Sequence, residues 1–344
     1  MKYTTLPHTN LKVSKLCLGT MTWGLQNTQD EAFEQMDYAL ERGINFFDTA
    51  ELYPVPAEAK TYADTERIIG NWFEKSGKRD KIVLASKIAG TGDYTAHIRT
   101  NGFTPEALKD AVNNSLKRLQ TDYIDLYQLH WPERNTNNLG IRDYKHEDEQ
   151  WQDNFNEILH TFDGIIKSGK VRHIGISNEK AWGTMRFMEE SKAHNLPRML
   201  TVQNAYSLLN RSFEGDMAEI AMREDIRLLA YSPLGCGVLS GKYIMGTDTI
   251  NSRLNLFTRF ARYSSAQCTE ATKRYLAIAY NHNLSLAQMS LAFVTQQPFV
   301  TSNIIGATNL VQLKENIDSI YLNLSSEVLD AIEEVHNEIP NPSA

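Results

Sequence analysis

Short apolar runs alternate with longer amphipathic stretches along most of the chain. The runs Leu16–Leu18, Asn45–Phe47, Ile82–Ser86, Ile124–Leu129, Val171–Ile176, Thr201–Gln203, Arg227–Ala230 and Asn303–Ile305 read as strands. One such run does not separate a strand from a buried helix; eight, each followed by a helical pattern, do. Thr104 caps a helix with Pro105 at its first position and Leu108, Ala111, Val112, Leu116 and Leu119 on one face. Phe155–Ile166 carries Ile158, Leu159, Phe162, Ile165 and Ile166 at the same spacing, and Gly169 supplies the stop. Further helices are expected at Thr28–Glu41, Asp64–Phe73, Glu179–His194, Ser212–Arg223, Thr269–Asn281, Leu286–Gln297, Leu310–Ile317 and Ser326–Asn337. Strands alternating with helices build parallel βαβ units, and eight such units can close into a barrel. The competing open doubly wound sheet announces itself with G-x-G-x-x-G after the first strand. Here that strand runs into Gly19-Thr20-Met21-Thr22, and the cluster Gly235-Cys236-Gly237 with Gly241 is late and wrongly spaced. The expected fold is α/β: a single-domain (β/α)₈ TIM barrel over 1–344, with a short N-terminal β-hairpin and an extra C-terminal helix.

Composition narrows the function classes. Of 344 residues, 42% are hydrophobic and 22% charged, so there is material for a large core. The net charge of −7 argues against a nucleic-acid or acidic-membrane partner, which would need a basic face. Cys17, Cys236 and Cys268 form no C-x-x-C, which fits a reducing compartment. Met1–Leu11 has no signal-peptide apolar region, and no apolar stretch reaches membrane-spanning length, so the expected location is cytoplasmic. The histidines show no H-E-x-x-H, and Glu147-Asp148-Glu149 has no histidine at helical spacing, so no metal site is expected and that run reads as a solvated face.

The residues that close the strands carry the chemistry. Successive strands end in Asp48, Lys87, His130, Ser177-Asn178, Gln203-Asn204 and Tyr231-Ser232. Each has an ordinary reading alone: Asp48 as a loop cap, Lys87 as a solvated lysine, His130 as a packed core histidine. In a barrel they meet at the C-terminal rim, where barrel enzymes place their sites. An Asp, a Lys, a His and the nearby Tyr53 suit carbonyl reduction. The hydride must come from a cofactor, because no side chain supplies one. A tyrosine can give the proton, and a neighbouring ammonium favours its phenolate. The aspartate holds the lysine charged, and the histidine polarises the carbonyl oxygen.

At this point the chain resembles the aldo-keto reductases, from near Lys2 to about Ile332. The motifs are Gly43-Ile44-Asn45-Phe46-Phe47-Asp48-Thr49-Ala50-Glu51-Leu52-Tyr53, Ala85-Ser86-Lys87, and Ser115-Leu116-Lys117-Arg118-Leu119 leading to Thr121-Asp122-Tyr123-Ile124-Asp125-Leu126-Tyr127-Gln128-Leu129-His130. Gly169-Lys170-Val171-Arg172, Ile174-Gly175-Ile176-Ser177-Asn178, Tyr231-Ser232-Pro233-Leu234 and Gly241-Lys242-Tyr243 follow in the family's order. Glu51-Leu52-Tyr53-Pro54-Val55-Pro56 and Gln203-Asn204-Ala205-Tyr206-Ser207-Leu208-Leu209-Asn210-Arg211 resemble the bacterial Tas-like branch in particular. The resemblance implies a catalytic tetrad of Asp48, Tyr53, Lys87 and His130. It implies that Ser177, Asn178 and Gln203 bond the nicotinamide carboxamide and that Tyr231 stacks on the ring. Ser232, Leu234, Gly237 and Lys242 lie in a loop that resembles the pyrophosphate clasp, and Pro233, Gly19, Thr20, Met21 and Asp48 are further expected cofactor contacts.

The pattern departs from many family members after the last strand. The Lys-Ser pair and following Arg that grip the NADP 2′-phosphate are replaced by Gly306-Ala307-Thr308-Asn309, with Gln312, Glu315 and Asn316 on the next helix. The resemblance there is to the branch holding bacterial homologues and potassium-channel β subunits, which use an Arg from the loop after strand seven. Arg253 in Asn251-Ser252-Arg253 is the candidate, against the plainer reading of a solvated loop residue. NADPH is therefore the expected cofactor, with NADH use left open, and a small carbonyl compound the expected partner. The long polar loop from Trp131 to about Gln152 is expected over the substrate pocket, shaped with Trp23, Tyr53, His130 and Trp131; Asn137, Asn138 and Gly140 suggest mobility. Two other functions stay open: a slow NADPH-binding regulatory subunit, and a Schiff-base aldolase using Lys87.

Overall fold

The computed structural model describes residues 1–137, 140–247, 249–250 and 252–344; Asn138 and Asn251, singled out above, lie outside the described residues. A two-stranded antiparallel hairpin, β1 (Tyr3–Thr5) and β2 (Lys12–Ser14), opens the chain. Eight parallel strands then close into a barrel: β3 (Leu16–Gly19), β4 (Phe46–Asp48), β5 (Val83–Ile88), β6 (Ile124–Leu129), β7 (Val171–Ser177), β8 (Met199–Ala205), β9 (Arg227–Tyr231) and β10 (Val300–Ile305). Each pairs with the next, and β10 closes on β3 with Asn303 opposite Leu16. The expected (β/α)₈ barrel and its N-terminal hairpin are both present.

The helices follow the strands in order: α1 (Gln29–Glu41), α2 (Asp64–Ser76), α3 (Pro105–Leu119), α4 (Phe155–Lys167), α5 (Ala181–His194) and α6 (Met217–Arg223). Between β9 and β10 come two single turns, α7 (Lys242–Met245) and α8 (Arg253–Leu256), a 3₁₀ segment Thr258–Ser264, then α9 (Ala266–Asn281) and α10 (Leu286–Gln296). After β10 come α11 (Leu310–Asp318) and the extra C-terminal helix α12 (Ser326–Glu338), which packs on α9. Side-chain caps fix several starts. Thr28 and Glu31 form a capping box on α1, and Thr104 accepts from Ala107 N on α3.

Strand periodicity sorts the residues into two layers. Leu18, Phe47, Leu84, Ile88, Tyr127, Leu129, Ile174, Ile176, Val202 and Leu228 face outward into the helix layer. The opposite parity fills the barrel: Cys17, Phe46, Val83, Ala85, Leu126, Leu229 and Ile304 form a separate buried cluster, with Val13 of the hairpin among them. Successive inward positions are two residues apart. Asp48 therefore follows Phe46, Lys87 follows Ala85, Gln128 and His130 follow Leu126, and Tyr231 follows Leu229. The barrel interior changes from apolar to polar toward its C-terminal end.

Candidate active site

Lys87 is fully buried at the end of β5. Its Nζ donates to Asp48 Oδ1 (2.6 Å) and to the Thr49 carbonyl (2.8 Å), and lies 5.0 Å from the centroid of the Tyr53 ring. Two of its three protons are thus taken, and one remains on the Tyr53 side. Burial alone would pull the ammonium down; Asp48 and then Tyr53 outweigh it, so the net direction is up. Such a lysine stays charged, which removes the Schiff-base reading, since that chemistry needs a free amine. Asp48 Oδ2 accepts from Gln203 Nε2 (2.8 Å) and Gln128 Nε2 (3.3 Å), so the carboxylate is held from three sides.

Tyr53 sits on the loop after β4, and the barrel rim fixes that loop. Glu51 N donates to the Lys87 carbonyl (3.1 Å), while the buried Glu51 carboxylate accepts from Ala89 N (2.9 Å) and from Arg99 Nη2 (2.6 Å). Burial pushes the Tyr53 phenol up, and the opposing pull of Lys87 is smaller than that penalty. The lysine thus moderates the rise without reversing it. His130 N is tied to the Ile88 carbonyl (3.1 Å), and its ring meets Tyr53 edge-on at 5.7 Å. Desolvation, with help from the Lys87 charge, drives the His130 imidazole well below its ordinary value, so it is neutral near pH 7.

Tyr53 and His130 open onto a cavity of about 710 Å³, within the usual range for ligand sites. Ser177, Asn178, Gln203 and Tyr231 line one wall: Ser177 Oγ donates to the Gln203 carbonyl (2.8 Å) and Tyr231 OH to Asn178 Oδ1 (2.7 Å). Gly19, Thr20, Met21, Asp48 and Trp131 line it as well, as do Ser232, Pro233, Leu234, Gly237, Lys242 and Arg253. Gly306, Thr308, Gln312, Glu315 and Asn316 form the far end, where Gln312 Oε1 accepts from Thr308 N (3.0 Å) and Asn316 Nδ2 donates to the Gly306 carbonyl (3.1 Å).

The cavity fits a phosphate-bearing dinucleotide. Burial and then the Arg253 charge depress Lys242, so two cations share one region of the wall. Neither has a carboxylate within ion-pair distance among the described residues. Holding like charges together is unfavourable unless a polyanion joins them. Gly237, at φ 91°, leaves room for this: a Cβ there would lie 3.1 Å from Lys242 Nζ.

Two expectations are corrected. Trp23 does not line the cavity. The turn in which Leu25, Gln26 and Asn27 amides donate to the Thr22 carbonyl folds Trp23 into the helix layer, where it is fully buried and Nε1 donates to Gln35 Oε1 (3.3 Å). Beyond Trp131, the described part of the long loop builds a separate cavity of about 880 Å³, which shares only Asn178, Tyr231 and Arg262 with the first. Arg134 draws the loop away: it forms two hydrogen bonds with Glu179 (3.0 and 2.5 Å) and stacks 4.9 Å from the Trp182 ring. Trp131 itself stays on the Tyr53 side. Its indole fits only because residue 90 is glycine, where a Cβ would lie 2.3 Å from Trp131 Nε1. The sequence reading also passed over Gln128, Tyr94, Arg259, Phe260 and Arg262. Gln128 carried a signal, since it shares the inward parity of Leu126 and His130; the others sit in segments without periodicity.

Among the described residues no cluster of metal-binding side chains occurs, and no helix is long and apolar enough to cross a membrane. A family model described as the aldo/keto reductase family matches residues 15–337. The chain is 46% identical to Protein tas of Escherichia coli K12, with both chains covered over their full length. It is 33% identical to the uncharacterized oxidoreductase YrpG of Bacillus subtilis, over 97% of this chain and 96% of that one. A fungal relative, norsolorinic acid reductase B of Dothistroma septosporum, is 27% identical over 95% of this chain and 79% of its own. With a closed parallel barrel carrying a buried lysine–aspartate pair beneath a tyrosine and a histidine, the chain belongs to the aldo/keto reductase family of oxidoreductases.

Proposed function

We propose that the protein is an NADPH-dependent carbonyl reductase that converts an aldehyde or ketone to an alcohol, with Tyr53 as proton donor. The observation that carries this reading is the Tyr53 phenol beside a buried, fully held Lys87–Asp48 pair at the cavity floor. The dinucleotide, when bound, supplies the hydride. Tyr53, pushed up by burial, carries its proton at neutral pH. As charge builds on the carbonyl oxygen, the phenolic proton passes to it, and the Lys87 ammonium stabilises the phenolate left behind. Asp48 keeps that ammonium charged and in register. Neutral His130 polarises the carbonyl oxygen without adding a second positive charge beside Lys87.

Ser177, Asn178 and Gln203 would hold the nicotinamide carboxamide, with Tyr231 against the ring. Gln203 commits its Nε2 to Asp48, leaving Oε1 as acceptor. Lys242 would take the pyrophosphate and Arg253 the 2′-phosphate. The relative named norsolorinic acid reductase supports the reductive direction. Steady-state NADPH oxidation with a panel of aldehydes and ketones tests the reading. Turnover of several aldehydes is expected; a protein that binds NADPH and reduces none of them contradicts it.

A further inference from the structure

The 3₁₀ segment Thr258–Ser264 packs on α8 and borders the cavity, and it carries two arginines that the reading above leaves unused. Residues three apart eclipse one another on a 3₁₀ helix. Arg259 and Arg262 therefore share a face, and both line the cavity. Neither has a carboxylate within ion-pair distance among the described residues. Their surroundings are aromatic. Arg259 lies over the Tyr94 ring (5.3 Å) and the Phe260 ring (5.8 Å), and Arg262 Nη2 meets Tyr263 OH (3.1 Å).

A row of rings joins this face to the reacting centre. Tyr94 meets Trp131 at 5.6 Å, Trp131 meets His130 at 4.9 Å, and His130 meets Tyr53 at 5.7 Å. Arg253 and Arg259 adjoin, at 5.7 and 5.8 Å from the same Phe260 ring; Arg259 also lies over Tyr94, which leads on to Trp131 and His130. Acidic side chains cannot neutralise the two arginines. Among the described residues the only carboxylates lining the cavity are Asp48, bound to Lys87, and Glu315, bound to Ser285 at the far end.

We infer that Arg259 and Arg262 select a carbonyl substrate with an apolar, ring-sized body and a carboxylate at the end remote from the carbonyl. The carbonyl meets Tyr53 and His130, the body lies along Trp131 and Tyr94, and the carboxylate reaches the two guanidinium groups. Planar guanidinium forks suit such an anion. Arg259 is exposed, so its share is screened by salt, while the half-buried Arg262 is screened less. This inference rests on the carbonyl-reductase reading and deepens it.

The test compares 4-carboxybenzaldehyde with its neutral counterpart, methyl 4-formylbenzoate, with NADPH in excess. The wild type should favour the carboxylate by about tenfold in kcat/KM, between the small value of an exposed ion pair and that of a hydrogen-bonded ion. The preference should appear mainly in KM and shrink at high salt. In the Arg259→Met, Arg262→Met double variant the ratio of the two kcat/KM values should fall toward one, and Arg259→Lys with Arg262 intact should keep more of it than Arg259→Met with Arg262 intact. Equal use of both aldehydes by the wild type overturns the inference and leaves the reductase reading standing. A double variant that keeps the ratio but loses NADPH affinity also overturns it, by assigning these arginines to the cofactor. Reduction of neither aldehyde, with the broader panel also inert, refutes the reductase reading and the inference with it.

Discussion

Asp48→Asn removes one charge and almost no volume, so it isolates what the carboxylate does for Lys87. In the native protein Asp48 is 2% exposed and Lys87 0%, with Nζ–Oδ1 at 2.6 Å. Breaking one side of a buried pair costs about 3–5 kcal/mol, because the remaining charge has no counter-ion. The pH dependence gives the sharper test. The wild-type lysine is raised above 10.5 in the folded state. Its contribution is therefore complete below pH 10.5 and is lost only as pH rises through the folded value. In the variant the largest single effect on Lys87, burial, acts without its main opponent, and the folded-state value falls below 10.5. Unfolding then takes up a proton between the lowered folded value and 10.5, and stability rises with pH across that window. Urea unfolding in steps from pH 7 to 10 should show a deficit of about 3–5 kcal/mol at pH 7 that narrows as pH approaches 10.5. A deficit below about 1 kcal/mol, the scale of an exposed pair, or one that is constant across this range, refutes the assignment of Asp48 as the charge that keeps Lys87 protonated.

Three further outcomes follow from the same geometry. Because His130 lies well below its ordinary value, kcat/KM for an aldehyde should show no histidine ionisation between pH 8 and 6, and a fall centred near 6.5 would contradict a neutral imidazole. Arg253→Ala should weaken NADPH binding by about tenfold or more while changing NADH binding much less, as read by fluorescence titration of both; equal losses would remove Arg253 from the 2′-phosphate. Gly90→Ala places a methyl group where Trp131 Nε1 now lies 2.3 Å away, so KM for aldehydes should shift several-fold with NADPH affinity retained; unchanged KM would show that Trp131 does not shape the substrate wall.

The barrel was legible because its strands are set by strong periodicity and terminate in polar residues. The eight strand positions differ from those expected by a few residues: β8 extends to Met199–Ala205, and β10 begins at Val300, three residues before the expected Asn303. Helix ends failed where the chain bends without an apolar signal. The helix expected over Ser212–Arg223 breaks at Gly215 into a 3₁₀ turn and α6, and α9 starts at Ala266 because Ser265 caps it, earlier than its apolar pattern begins. Asp48, Lys87 and His130 were legible because strand parity alone carries them inward at one end of the barrel. Trp23 was not, since its neighbour Met21 lines the cavity and only the Thr22–Asn27 turn decides where the indole goes. The sequence from Lys242 to Ser264 has no period to read, and the place of Thr258–Ser264 beside the cavity depends on contacts such as Arg259 with Tyr94, about 165 residues away in sequence.

The central claim is that Tyr53 delivers the proton from a site that Lys87 and Asp48 keep ready. Tyr53→Phe keeps the ring, its edge contact with His130 and the Lys87–Asp48 pair, and removes only the hydroxyl. NADPH titration and steady-state aldehyde reduction on this variant test it together. The account predicts NADPH affinity within about twofold of wild type and a loss in kcat of about 10²–10⁴, the range for a positioned proton donor. Near-normal reduction by Tyr53→Phe would contradict it.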